Sequence, residues 1–169
     1  MSDAELVEPA ALPAGRFEGR AAFGRLVRDA LAAAAREGWR ELVLCDPDFA
    51  DWPLGEHAVA QSLQDWSASG RQCMLLARRW DEVVRRHARF VTWRVAWAHI
   101  IDARACRSAD PLEFPSAIWS RRWVMQRLDV EHSNGYAGAE PERRQLLREQ
   151  LDAWLRRSSP SFPANTLGL

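Results

Sequence analysis

The chain contains no lysine: all 23 of its basic residues are arginine. A protein without lysine has no Schiff-base lysine, no lysine acting as a general base and no P-loop lysine on a phosphate. Arginine keeps its proton under ordinary conditions, so these side chains can bind anions but cannot shuttle protons. This single absence excludes several classes of enzyme.

Metal-binding and nucleophile motifs are also missing. The three cysteines are odd in number and show no C-x-x-C spacing, which is not typical of a disulfide framework or a structural zinc site. The four histidines show neither H-x-H nor H-E-x-x-H spacing. The sequence has no G-x-S-x-G motif and no glycine-rich phosphate loop. We therefore expect no cofactor and no metal ion.

Long hydrophobic runs are absent too. No stretch approaches the ~20 apolar residues that a membrane span needs, and the first 15 residues lack the basic and apolar regions of a signal peptide. We expect a cytoplasmic protein without a membrane span. Because 23 acidic residues balance the 23 arginines, no overall charge attracts the chain to nucleic acid. We do not expect nucleic acid as its partner.

The apolar periodicity predicts alternating helices and strands. A helix that ends at Gly38 precedes a strand over 41–45, and a helix that ends at Gly70 precedes a strand over 73–77. Such a strand–helix–strand unit has parallel strands and a right-handed crossover. The later predicted elements are a helix over 81–94, a strand over 99–106, one or two strands over 117–128 with a turn at 120–122, a loop over 131–139 and a helix over 141–157.

The pattern predicts one α/β domain over 16–157, with a mixed sheet of about four to six strands flanked by helices. A flexible arm over 1–15 precedes it, and a tail over 158–169 follows it. At 169 residues the chain has the length of a single domain.

An acidic loop follows the first predicted strand, and ligands of α/β proteins bind beyond the carboxyl ends of strands. The loop after the next strand begins with two arginines and should emerge at the same edge of the sheet. Acidic and basic side chains are therefore expected to face one another there. The predicted ligand-binding residues are Asp46, Asp48, Asp51, Arg78, Arg79, His87 and Arg89.

Three segments carry a resemblance to a known family: Glu41-Leu-Val-Leu-Cys-Asp-Pro-Asp48, Gly70-Arg-Gln-Cys-Met-Leu-Leu76 and Arg86-His-Ala-Arg-Phe90. Over about 20–157 the chain resembles one lobe of the phospholipase D fold, and in particular a group of uncharacterised proteobacterial proteins assigned to that fold. Enzymes of that family use an H-x-K-x4-D motif, with histidine as nucleophile and lysine on the phosphate. No histidine here is followed by that lysine. The resemblance thus implies a non-catalytic relative with a binding or regulatory role.

Two alternatives remain open at the sequence level. In a metal-dependent phosphoesterase, Asp46 would be nucleophile or ligand and Asp48 acid or ligand, as in the D-x-D motif of haloacid-dehalogenase-like phosphatases. However, Ala50 stands where that motif has threonine or valine, and both aspartates could simply form a turn. The second alternative is a nucleic-acid-binding module, because arginines and aromatic residues alternate over 78–97.

Tryptophan is abundant, with nine residues. Trp80, Trp119 and Trp123 fall in or near predicted loops and edge segments, and tryptophan is enriched at protein interfaces. A single lobe of a fold that normally pairs two lobes should also expose its pairing face. We therefore predict a homodimer with these three residues at its interface; an unidentified protein or anionic ligand is the other candidate partner. The alternative is a tryptophan-rich core.

Overall fold

The computed structural model describes residues 11–164. Its strands are β1 (Gly15–Phe17), β2 (Glu41–Cys45), β3 (Gln72–Ala77), β4 (Ile101–Ala105), β5 (Ser116–Trp119), β6 (Val124–Asp129), β7 (Asn134–Gly138) and β8 (Ser159–Pro160). Its helices are α1 (Arg20–Glu37), α2 (His57–Ser67), α3 (Asp81–Arg86), α4 (Ala88–Ala96) and α5 (Pro141–Arg156).

All eight strands of the described region form one mixed sheet in the order β1-β7-β6-β5-β2-β3-β4-β8. Strands β2, β3 and β4 are parallel, and the remaining pairs are antiparallel. The predicted α/β domain with a mixed sheet flanked by helices is therefore confirmed. The predicted number of strands is too low, because short strands at both edges extend the sheet.

Helices cover both faces of the sheet, and the alternation of side chains along each strand divides the core in two. Leu42 and Leu44 of β2 belong to the core that includes residues of α1, α2, α3 and α4. Val43 and Cys45 belong to the smaller core against α5. Since both faces of β2 are buried, this strand is apolar at every position after Glu41, which explains its clear signal in the sequence.

The helix ends follow simple stereochemistry. Gly38 ends α1 in the left-handed conformation, with φ of 64°, and its N–H donates to the carbonyl of Ala34. Pro141 occupies the first turn of α5, where its missing N–H costs no hydrogen bond. No helix within residues 11–164 is both long and apolar enough to cross a membrane.

Two sequence predictions are wrong in detail. The helix predicted over 81–94 is two helices, because His87 leaves the helical conformation with φ of −123° and ψ of 61°. The loop predicted over 131–139 contains β7. Its Gly135 suggests a turn, yet it lies in the sheet between β1 and β6. A Cβ there would clash with the Gln126 carbonyl oxygen and come within 2.7 Å of the Phe17 ring, so the position requires glycine.

Described residues of the predicted arm and tail also belong to the folded structure. The predicted arm lies outside the described residues up to position 10, but Gly15 begins β1. The predicted tail contributes β8, and Phe162 beyond it is buried, while residues 165–169 of the tail lie outside the described residues. The described parts of the arm and tail therefore complete the sheet or its core.

Candidate functional site

The loops after β2, β3 and β4 meet at the carboxyl edge of the sheet. The main-chain N–H groups of Arg78 and Arg79 donate to the carbonyl of Pro47 at 3.0 and 3.4 Å. The acidic loop and the two arginines thus lie side by side, as the parallel arrangement of β2 and β3 requires. Strands β5 and β6 bring Ser116 and Arg127 to the same edge, opposite each other in the sheet.

A buried ion cluster occupies the centre of this edge and consists of Asp46, Asp51, Ser116, Arg127 and Ser133. The Arg127 guanidinium donates to Asp46 at 2.8 Å and to Asp51 at 2.6 and 3.1 Å. It also donates to the hydroxyl groups of Ser116 at 3.1 Å and Ser133 at 3.2 Å. The side chains of Arg127 and Asp46 are 0% and 1% exposed. All three guanidinium nitrogens therefore have buried partners.

The Asp46 carboxylate is buried, and both of its oxygens accept hydrogen bonds within the protein. Oδ1 accepts from Arg127, and Oδ2 accepts from the main-chain N–H groups of Asp48 at 3.1 Å and Phe49 at 2.8 Å. These bonds hold Phe49 in the left-handed region, with φ of 58°. Burial raises the pKa of Asp46, whereas Arg127 and the hydrogen bonds act to lower it. Asp46 is a turn-forming member of the buried ion cluster.

Asp48 lies on the other side of the same turn. Its side chain is exposed, and its Oδ1 accepts from the N–H of Ala50 at 2.9 Å. Asp46 faces Arg127 in the interior, so the two carboxylates do not form an open pair for a cation. Residues 11–164 contain no group of three or more His, Cys, Asp or Glu side chains placed to hold a metal ion. This geometry counts against the phosphoesterase alternative.

The cysteines do not supply another nucleophile. Cys45, Cys73 and Cys106 are all buried, and burial raises the pKa of each thiol. A raised pKa keeps the thiol protonated at neutral pH, and the protonated thiol is a weak nucleophile. The three residues therefore act as small apolar members of the core.

His87 and Arg89 hold the segment after β2 through hydrogen bonds to its main chain. The His87 ring is buried, and its Nε2 donates to the carbonyl of Phe49 at 2.8 Å. Arg89 donates to the carbonyl of Gly55 at 2.7 Å. The predicted ligand-binding residues therefore do gather around one loop, but several of them are used to hold it.

The predicted interface tryptophans are part of the core. Trp80, Trp119 and Trp123 are 6%, 7% and 3% exposed. Each indole N–H donates to a main-chain carbonyl elsewhere in the fold, at 3.1, 2.8 and 3.0 Å respectively. Their assignment to an exposed interface is wrong, because Trp119 lies within β5 and Trp80 and Trp123 lie next to α3 and β6, where all three side chains are buried. The homodimer stays a prediction without these residues.

A groove next to the buried ion cluster has a different character. Residues 159–163, which we name the strap, line two adjoining cavities of about 440 and 390 Å³. Arg79 lines the larger cavity, Arg157 the smaller one, and Arg107 and Ser161 line both. We name these two cavities together the strap groove.

The arginines of the strap groove lack acidic partners. Arg79, Arg107 and Arg157 are exposed, and none of them forms an ion pair with the described residues. Arg157 lies over the Trp154 ring, 4.4 Å from its centroid, which limits its motion. Asp81 is the single acidic residue among those that line the two cavities. The groove therefore presents a concave surface of positive charge.

The strap itself is firmly attached. Strand β8 pairs with Arg104 and Ala105 of β4, and the Ser161 N–H donates to the carbonyl of Ala103 at 3.0 Å. Beyond them, the Phe162 ring stacks on Trp80 with centroids 4.9 Å apart. Arg94 donates to the Phe162 carbonyl at 3.0 Å. The strap groove is thus preformed and does not need a ligand to order its wall.

Sequence reasoning missed Arg127, Arg107 and Arg157. Arg127 could have been recognised from its spacing, since it lies two positions after Met125 and therefore on the same inward face of β6. A charged residue on that face must find a buried partner. Arg107 could have been found from its place just after β4, by the rule applied to Arg78 and Arg79. For Arg157, only the path of the strap brings it to this edge.

No protein-family model matches the sequence, and no curated protein sequence is significantly similar to it. Among solved structures, the fold is similar to that of TrmBL2, an archaeal chromatin protein whose structure is described as showing a novel mode of DNA binding. The superposition has a TM-score of 0.67 at 12% sequence identity, and it covers 92% of this chain and 57% of TrmBL2. This similarity supports the α/β fold. The resemblance to a phospholipase D lobe stays a prediction.

Proposed function

We propose that this chain is a non-catalytic domain that binds nucleic acid through phosphate groups held in the strap groove. The observation that carries the proposal is the set of three exposed arginines around two adjoining cavities, without a carboxylate partner among the described residues. Arginine is well suited to phosphate because its planar guanidinium can donate two parallel hydrogen bonds.

The charge distribution also favours this function. The formal net charge of the chain is zero, but three acidic residues precede position 11. Residues 11–164 therefore carry 23 arginines against 20 carboxylates. Many of those arginines are neutralised by surface ion pairs, as Arg28 is by Glu56 at 2.7 Å. Those of the strap groove are not, so a local basic site exists on a chain without overall charge.

The similarity to TrmBL2 also favours nucleic-acid binding over the phosphoesterase alternative. That protein is described as a DNA-binding chromatin protein, and it shares this fold. Since the superposition covers 57% of TrmBL2, its DNA-binding mode is carried over only as support for the class of ligand, and the residues proposed here come from this chain alone.

The chemistry of this end of the sheet supports a non-catalytic role. The best candidate nucleophile, Asp46, has both oxygens occupied, and no lysine exists to hold a reacting phosphate. The same conclusion follows from the resemblance to a phospholipase D lobe without its H-x-K-x4-D motif. Membership of that fold, a cytoplasmic location and homodimerisation remain part of the proposal.

The test is a binding titration by fluorescence anisotropy at low salt, with a labelled 20-nucleotide single strand and its duplex. The groove variant is Arg79→Ala/Arg107→Ala/Arg157→Ala. A control variant removes the same charge from ion-paired arginines on other surfaces, and its substitutions are Arg28→Ala, Arg121→Ala and Arg143→Ala. The groove variant should bind at least roughly tenfold more weakly than the wild type, and the control should stay within about twofold. Equal losses in both variants would refute the assigned site.

A further inference from the structure

We infer that the strap groove takes one nucleotide unit of the nucleic acid in a fixed direction, with its phosphate in the smaller cavity and its nucleoside in the larger. This inference rests on the function proposed above and assigns a different part of the nucleotide to each cavity. It follows from the different chemistry of their walls.

The smaller cavity, of about 390 Å³, is suited to a phosphate. Arg107 and Arg157 line it, and no acidic residue does. Three hydroxyl groups complete the wall, and they belong to Ser108, Ser159 and Ser161. Guanidinium and hydroxyl groups are the usual donors to phosphate oxygens, and an acid-free wall avoids repulsion of the anion.

The larger cavity, of about 440 Å³, is suited to a nucleoside. Val84, which is 59% exposed, and Pro163 give it an apolar wall that is open to solvent. Asp81 also lines this cavity and is exposed. An ionised carboxylate only accepts hydrogen bonds, so it would repel a phosphate but can bind a base amino group or a sugar hydroxyl.

Arg107 and Ser161 line both cavities and therefore mark the junction between nucleoside and phosphate. Cavities of this size are within the range that holds small ligands. A base that is paired in a duplex cannot turn into the larger cavity without being unstacked. The groove should therefore bind an unpaired strand more tightly than the same sequence as a duplex.

The decisive variant is Asp81→Ala. Binding by charge alone and binding through a hydrogen bond to Asp81 predict opposite changes in affinity for this variant. In a groove that binds by charge alone, removal of this carboxylate strengthens the binding of a polyanion. If Asp81 accepts a hydrogen bond from the nucleoside, its removal weakens binding of the single strand by about five- to tenfold. The experiment is an anisotropy titration of single strand and duplex, with Asp81→Ala beside the wild type.

A matched pair of valines tests the apolar wall. Val84→Ser alters the larger cavity, whereas Val95→Ser alters a valine of α4 that is 43% exposed and lines neither cavity. Val84→Ser should weaken binding of the single strand about threefold, and Val95→Ser should leave it unchanged.

The outcomes separate the two proposals. If the wild type binds neither single strand nor duplex, the proposed function fails and the inference fails with it. If the wild type binds and the triple-arginine variant does not, but Asp81→Ala binds as well as or better than the wild type, the inference alone is overturned. Equal affinity of the wild type for single strand and duplex would overturn it as well.

Discussion

One buried arginine and a group of exposed arginines lie at the same end of the sheet, and their surroundings differ completely. Arg127 is fully buried, with Asp46 and Asp51 as partners for its charge. Arg79 and Arg107 are exposed in a groove and have no carboxylate partner within residues 11–164. The buried arginine holds loops and strands together, and the exposed group is available to an external anion.

The difference shows why position at the carboxyl edge is not sufficient to define a ligand site. A charge that is taken out of water must be compensated inside the protein, and a compensated charge has little capacity left for a ligand. The acidic loop is the strongest functional signal in the sequence, yet its Asp46 and Asp51 are used in this way. The uncompensated arginines are the better candidates.

The largest effect is expected from breaking the buried ion cluster. Arg127→Met keeps much of the side-chain length but leaves Asp46 and Asp51 without a cation. It should lower the free energy of unfolding by about 3–5 kcal/mol, as the loss of one partner of a buried ion pair does. Urea denaturation measures this loss.

The double variant Asp46→Asn/Arg127→Met is the control, because it removes the buried charge that the single variant leaves behind. It should recover part of the lost stability. A loss below about 1 kcal/mol for Arg127→Met would place the cluster among the weak ion pairs of the surface.

Removal of the Phe162 ring should lower both stability and nucleic-acid affinity, because the strap connects the core to the groove. Phe162→Ala should cost about 3 kcal/mol of stability, since the ring is 6% exposed and stacks on Trp80. It should also weaken nucleic-acid binding, because the strap forms one wall of the groove. Leu112→Ala, at a residue that is 94% exposed, is the control and should change neither quantity. Unaltered binding by a folded Phe162→Ala protein would argue against the strap as a wall.

A smaller effect is expected at His87. Its replacement distinguishes a residue that holds the acidic loop from one that binds nucleic acid. His87→Ala removes the bond to the Phe49 carbonyl and should cost about 1–2 kcal/mol in urea denaturation. Nucleic-acid affinity should not change, since His87 does not line the strap groove. His99→Ala, at an exposed position, should be neutral for both quantities. Loss of affinity in His87→Ala would assign His87 to the binding site after all.

Much of the fold could be predicted because its central elements carry local signals. The apolar run of β2, the glycine that ends α1 and the proline that begins α5 each identify an element without knowledge of the rest. Strand β7 has no such signal. Its Gly135 is required because the Gln126 carbonyl of β6 and the Phe17 ring of β1 lie too close for a Cβ, and neither contact can be recognised from the local sequence.

The site was less predictable because its contacts join distant parts of the chain. Arg127 is 81 residues from Asp46, and no pattern in the sequence connects the two. In the sequence the strap resembles a tail with two prolines. It joins the sheet only because β8 pairs with β4. Which arginines are compensated depends on these contacts and cannot be read from the composition.

Thermal unfolding with and without a single-stranded oligonucleotide tests the division between the buried and the exposed arginines most directly. The proteins to compare are the wild type, Arg127→Met and the triple variant of Arg79, Arg107 and Arg157. An oligonucleotide at 100 times its Kd should raise the wild-type midpoint by roughly 5–10 °C. Arg127→Met should unfold roughly 10 °C lower yet keep that rise. The triple variant should stay within about 4 °C of the wild-type midpoint, since it loses only the contact of Arg157 with Trp154, and it should lose the rise. Retention of the rise by the triple variant, or its loss by a folded Arg127→Met protein, would contradict the separate roles of the buried and the exposed arginines.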